Sequence, residues 1–318
     1  MIHCLPIPTP FMVGRVNVYL IEDDPLTLVD TGPNSGKALD ELERALADHG
    51  RRVEDLELIV LTHQHLDHQG LAQILARRSG ADVAALDRLV PLLERFAEFN
   101  EADDAFAEAL MLRHGLSPDV AVALRSVSRA FRAWGSSVEV TRTLTDGGVL
   151  ELRDRTLQVF HRPGHSPTDT IFWDAQRGEL IAGDHLIKHI SSNPLITRTL
   201  DDGDERLQAL VTYMDSLRKT RELPAKRVLS GHGDPIDDHV ALIDERFRMH
   251  ERRAVKILGL IAERPRTAHD LALALWGNIA VTQAFLTLSE VLGHVDLLLN
   301  RGQVREIDRD GVLVFEAV

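Results

Sequence analysis

The run Leu58-Ile59-Val60-Leu61-Thr62-His63-Gln64-His65-Leu66-Asp67-His68 opens as an apolar strand and closes as a cluster of metal-binding side chains. Its first four residues are apolar, mostly branched and too few for a helix, which predicts a strand covered on both faces. A helix is expected to begin near Gln69 and Gly70, so His63, His65, Asp67 and His68 crowd a strand-to-helix turn. A helical pair of histidines four apart would share one face. This dense alternating cluster instead suits a loop whose side chains are divided between neighbouring ions.

Three further segments supply what such a cluster would lack: Pro163-Gly164-His165-Ser166, Ala182-Gly183-Asp184-His185 and Ser230-Gly231-His232-Gly233. Each follows a predicted strand, and glycine beside each candidate ligand permits a tight turn and close backbone approach. Three strand ends could thus deliver His165, Asp184 and His232 to the same edge of a sandwich. Asn193 and the polar run His185, Lys188, His189, Ser191 and Ser192 follow Asp184 as candidate substrate contacts or oxyanion donors, with a solvated loop as the plainer alternative.

Outward from these motifs, strands are expected at Val16 to Leu20, Leu26 to Val29 and Val83 to Leu86, with helices at Lys37 to His49 and Gln69 to Arg78. Residues from about 87 to 135 carry apolar side chains at helical spacing and read as a helical insertion. Leu92, Leu93, Phe96, Phe99, Phe106, Leu110, Met111, Phe131 and Trp134 either line an apolar pocket over the metals or pack the insertion together. Strands resume at Ser137 to Leu144, Thr156 to His161, Thr170 to Trp173 and Glu179 to Ile181. Two strand-rich halves separated by helices predict an α/β fold, a four-layer αββα sandwich over residues 1–240. Residues 241–318 read as three helices and a hairpin, a small winged-helix domain.

Composition narrows the functional classes. With 36 Lys+Arg against 49 Asp+Glu, the charge of −13 disfavours a polyanionic partner. The last 69 residues balance acid and base, and Val281 to Leu299, where a winged helix would place its reader, contains no Lys or Arg. A packing or dimerisation role, giving a homodimer, is favoured for that module over nucleic acid. The single cysteine, Cys4, excludes an internal disulfide and multi-thiolate metal sites. No signal-like N-terminus and no membrane-length apolar run are evident, so a cytoplasmic location without a membrane partner is expected.

The spaced His-x-His-x-Asp-His, His, Asp and His resemble the signature of the metallo-β-lactamase superfamily, and the resemblance extends to about residue 240. It implies that His63, His65 and His165 bind one divalent metal ion, that Asp67, His68 and His232 bind another, and that Asp184 bridges them. Val29-Asp30-Thr31-Gly32 is similar to the family's first motif, which implies that Asp30 orients the metal site. The ions expected are zinc foremost, with iron or manganese as alternatives. The resemblance further implies a hydrolase working through metal-bound hydroxide, with Asp67 both a ligand and the residue that orients the hydroxide or handles its proton.

The ligand set lacks the cysteine of one lactamase branch and resembles the hydroxyacylglutathione hydrolase and β-lactamase-like-2 branches, the latter carrying a C-terminal winged-helix appendage. The expected substrate is a small or medium acyl ester, thioester or lactone. Phosphodiester or endoribonuclease chemistry is one alternative, and a non-catalytic, metal-stabilised interaction protein is another. Lactonase relatives use a tyrosine near the metals, whereas Tyr19 and Tyr213 lie outside the loop after Asp184, which weakens the lactone expectation.

Overall fold

A computed structural model describes residues 1–200, 206–277 and 280–318. These fall into two compact units: residues 1–99, 131–192 and 222–239 form the first, and 100–130, 193–221 and 240–318 the second.

In the first unit the chain runs through β1 (Ile2–Ile7), β2 (Val16–Ile21), β3 (Thr27–Val29), α1 (Gly36–Asp48), β4 (Leu58–Val60), α2 (Leu66–Gln69), α3 (Ala72–Ser79), β5 (Asp82–Leu86) and α4 (Val90–Glu94). It continues with β6 (Arg142–Leu144), β7 (Val149–Glu151), β8 (Thr156–His161), β9 (Thr170–Asp174), β10 (Glu179–Gly183) and β11 (Arg227–Ser230). β1 to β6 form one sheet in sequential order, with β3 to β6 parallel. The second sheet has the order β11-β10-β9-β8-β7, and β11 lies parallel to β10.

The local chemistry agrees with these elements. β3 and β4 are buried at every residue, as a continuous apolar run in a parallel sheet requires. α1 starts where the Ser35 hydroxyl accepts the Ala38 N–H, and it buries Ala38, Leu42 and Leu46 on one stripe. Each of those leucines contributes about 1.5–3 kcal/mol of burial free energy. The helix expected from Gln69 is two helices, α2 and α3. α2 begins at Leu66, so Asp67 and His68 already sit in a helical turn. The strand expected over Ser137 to Leu144 shortens to β6, because only its last three residues pair with β5.

The second unit holds α5 (Phe96–Arg113, whose first turn belongs to the first unit), α6 (Pro118–Phe131), α7 (Ala209–Arg221), α8 (His239–Glu263), α9 (Ala268–Trp276) and α10 (Ala284–Asn300). It ends in the hairpin β12 (Val304–Arg309) and β13 (Val312–Ala317). Its core joins Leu110, Met111, Leu116 and Ala121 to Ile257, Ile261, Leu288, Leu292 and Phe315. Most of the helical insertion therefore shares a core with the C-terminal segment. Leu110, Met111 and Phe106, read from sequence as pocket candidates, serve that core. α10 is buried almost continuously from Leu288 to Leu298. No single helix among the described residues is long and apolar enough to cross a membrane.

Candidate metal centre

The seven candidate ligands come together in the first unit at the ends of strands from both sheets. The turn after β4 supplies His63, His65, Asp67 and His68, the β8–β9 connection supplies His165, and the ends of β10 and β11 supply Asp184 and His232. His65 Nδ1 lies 3.0 Å from His63 Nε2 and 2.9 Å from His165 Nε2. Three ring nitrogens thus face a common point.

A second trio consists of Asp67, His68 and His232, with His232 Nε2 3.4 Å from Asp67 Oδ2. Asp184 stands between the two trios. Its Oδ1 is 3.4 Å from His68 Nε2, and its Oδ2 is 3.5 Å from both His165 Nε2 and His232 Nε2. Asp184 Oδ1, His68 Nε2 and His232 Nε2 are buried without a hydrogen-bond partner among the described residues. Buried polar atoms are rarely left so. A set of imidazole nitrogens and carboxylate oxygens aimed at shared points is the donor chemistry of a borderline divalent ion.

The electrostatics have the same character. Burial holds His65 down at about 3 and His63 well below the ordinary imidazole value, so both present lone pairs near neutral pH. Burial acts likewise on His68 and His232, but Asp184 and its neighbouring carboxylates overcome it. His68 rises well above its ordinary value and His232 to about 9. Asp184, which burial alone would raise, is held well below the carboxylate range by His68 and His232. The carboxylates therefore demand positive charge at this spot, which protons on two histidines supply when no cation does.

Asp30 lies behind the candidate ligands. Its Oδ1 accepts the Thr62 N–H at 2.9 Å, and its Oδ2 accepts from Thr62 Oγ1 and His68 Nδ1, each at 2.8 Å. Its φ of +59° places a non-glycine residue in the left-handed region, which aspartate tolerates better than most.

A sequence profile of the metallo-β-lactamase superfamily matches residues 12–232, the stretch that contains every one of these side chains. The chain belongs to that superfamily. The probable metallo-hydrolase YqjP of Bacillus subtilis is 32% identical over 293 residues, covering 92% of this chain and 90% of its own. A β-lactamase-like protein 2 homolog of Caenorhabditis elegans is 25% identical over 96% of this chain and 83% of its own. The atrochrysone carboxyl ACP thioesterase of Aspergillus fumigatus is 24% identical over 81% and 62%. Among solved structures, a metallo-β-lactamase family protein of Thermus thermophilus superposes with a TM-score of 0.82 at 28% identity, over 100% of this chain and 98% of that one. The fold is thus the superfamily's αββα sandwich.

Other polar residues hold this metallo-β-lactamase centre in shape without showing themselves in the sequence. Asn17 Nδ2 donates to the carbonyls of Ser230 and Gly233, Tyr19 Oη donates to Ser230 O at 2.6 Å, and the Arg15 carbonyl accepts from His232 Nδ1 at 2.8 Å. β2 therefore grips the His232 loop across the two sheets. Gln64, between two ligands, accepts the hydroxyls of Ser166 and Thr168 and so ties the β4 turn to the His165 loop. In sequence, Asn17 and Tyr19 belong to an apolar strand and Gln64 is a motif spacer. Only a polar residue inside an otherwise apolar run could have marked Asn17.

The three residues expected to meet substrate are placed differently. His185 is fully buried, and burial holds its ring at about 3. Lys188 is exposed and donates to the Pro235 carbonyl at 3.3 Å. His189 is exposed, with its ring beside Gly233, where an added Cβ would lie 2.6 Å from Nδ1. Only His189 combines exposure with a position next to a candidate ligand, His232.

Proposed function

We propose that the chain is a dinuclear metallo-hydrolase of small or medium acyl substrates, with esters and thioesters foremost and lactones after them. The carrying observation is Asp184, one carboxylate whose two oxygens lie within 3.5 Å of ring nitrogens from both trios. In this reading His63, His65 and His165 would hold one ion and Asp67, His68 and His232 a second, with Asp184 available to both. Five imidazoles and two carboxylates without a thiolate suit zinc. Such ions, when bound, polarise the scissile carbonyl and supply water of lowered pKa.

The protein's own groups would do the rest. Asp67 remains a carboxylate because His68 and His232 outweigh the upward push of burial. It can therefore orient the attacking water and take its proton. His189, at the rim beside Gly233, would meet the acyl portion or the leaving group. The fungal relative named as a carrier-protein thioesterase supports an acyl substrate. So does the net charge of −13, which opposes a polyanion.

Residues 241–318 are proposed to be a winged-helix-type module whose third helix, α10, packs into the core of the second unit. Its burial supports a packing role.

The test is metal content by elemental analysis followed by turnover of matched ester, thioester, lactone and phosphodiester substrates. About two zinc ions per chain with acyl turnover are expected, and Asp67→Asn at equal metal content should lower kcat at least tenfold. Turnover of phosphodiesters alone would replace the acyl reading. Full metal with no turnover in any class would leave a metal-stabilised interaction protein.

A further inference from the structure

The second unit contains another cluster of donors that the catalytic reading does not use. His250 on α8 faces His294 on α10, and Glu290 stands one turn before His294 on the same helix. Both histidines are fully buried. His250 Nδ1 lies 3.2 Å from His294 Nε2, and Glu290 brings a carboxylate oxygen so that one donor atom from each residue lies within 4.8 Å of the others.

The geometry is more particular than a chance meeting of buried rings. His294 Nδ1 donates to the Glu290 backbone carbonyl at 2.6 Å, which fixes the ring and the tautomer and turns the Nε2 lone pair toward His250. Two nitrogens each about 2.05 Å from one ion at a tetrahedral angle are about 3.3 Å apart. The observed spacing matches that arrangement. Glu290 Oε1 receives Arg253 Nη1 at 3.3 Å, and the carboxylate is 19% exposed, so its other oxygen can turn to an ion that also keeps water.

We infer that His250, His294 and Glu290 form a structural site for one borderline divalent ion of the zinc class, pinning α8 to α10. On binding, the proton on His250 Nδ1 moves to Nε2 of the same ring, so that the ring stays neutral, and the two facing nitrogens become ligands. Two imidazoles and a carboxylate with one position left to water favour zinc, cobalt or nickel over magnesium or calcium. The site is independent of the hydrolase reading, because none of its residues belongs to the centre in the first unit.

The experiment measures zinc per chain on the full-length protein after gel filtration, for the native sequence and for His294→Gln and Glu290→Gln. The expected result is one zinc fewer per chain in His294→Gln, zinc affinity at this site lower by about tenfold or more in Glu290→Gln, and unchanged turnover of whichever substrate the protein cleaves. If His294→Gln does not fold, the paired variant His63→Ala/His68→Ala serves instead. It should lose turnover yet still take up zinc tightly at this second place, with a visible cobalt spectrum of tetrahedral type upon substitution. Equal zinc in native and Glu290→Gln protein at limiting metal, or no zinc left in the paired variant, would overturn the inference and leave a hydrogen-bonded imidazole pair only.

Discussion

Asp30 Oδ2 accepts the Nδ1–H of His68 at 2.8 Å, and this one bond decides which nitrogen of a fully buried histidine faces the candidate metal centre. The same carboxylate holds the backbone and hydroxyl of Thr62, the residue before the first ligand. One side chain thus sets the tautomer of His68 and the entry of the ligand turn. Asp30→Asn, which can present an amide donor to Nδ1, is expected to lower metal affinity by about 10- to 100-fold with little change in fold. Metal titration of the stripped variant with a chromophoric competitor measures this, and native affinity would refute the orienting role.

Gly231 is required by proximity. A Cβ there would lie 2.1 Å from Asp184 Oδ1 and 2.9 Å from the His68 ring. Gly231→Ala must move the residue between the two trios by a sizeable fraction of an ångström. Turnover is expected to fall by about 100-fold, since catalytic geometry tolerates little displacement. Steady-state kinetics alongside circular dichroism separates this from unfolding.

In the second unit the core is the vulnerable element. Leu292 on α10 is wholly buried within the cluster that joins the insertion helices to the C-terminal segment. Leu292→Ala is expected to cost about 2–5 kcal/mol through lost burial and a residual cavity. Chemical denaturation followed by tryptophan fluorescence would report the loss.

Acid should weaken the same unit through His114. Burial holds its ring at about 3, against about 6.5 for an unfolded histidine. Between those values the unfolded chain binds a proton that the folded chain refuses. This contribution to stability is therefore unchanged above about pH 6.5, falls as the pH drops through the window, and levels off below about 3. His114→Phe, stacked like the native ring on Phe315, should lose less of its denaturation midpoint between pH 7 and pH 5 than the native protein. Identical losses would remove His114 as the cause.

The centre was far more legible in sequence than its scaffold. His63 to His68, His165, Asp184 and His232 each follow a strand and lie beside residues of unusual composition, so their chemistry is local. Asn17 and Tyr19 act on a loop more than two hundred positions away, and nothing near them in the chain marks that partnership. The helices over residues 87–135 were visible by their period, but period reports only that a face is apolar. Which core received Leu110 and Met111 depended on α9 and α10, which lie far along the chain. α7 escaped notice because its polar residues interrupt the apolar stripe, and Tyr213, Ser216 and Thr220 are nonetheless buried.

The grip of β2 on the loop after β11 also bears on how the centre assembles. His63 to His68 lie early in the chain, whereas the position of His232 rests on the pairing of β11 with β10 and on the bonds from Asn17 and Tyr19 to its loop. Closing a loop of that length is slow compared with forming local helices. During refolding, tight metal capture by the trio of Asp67, His68 and His232 should therefore lag behind the return of helical signal.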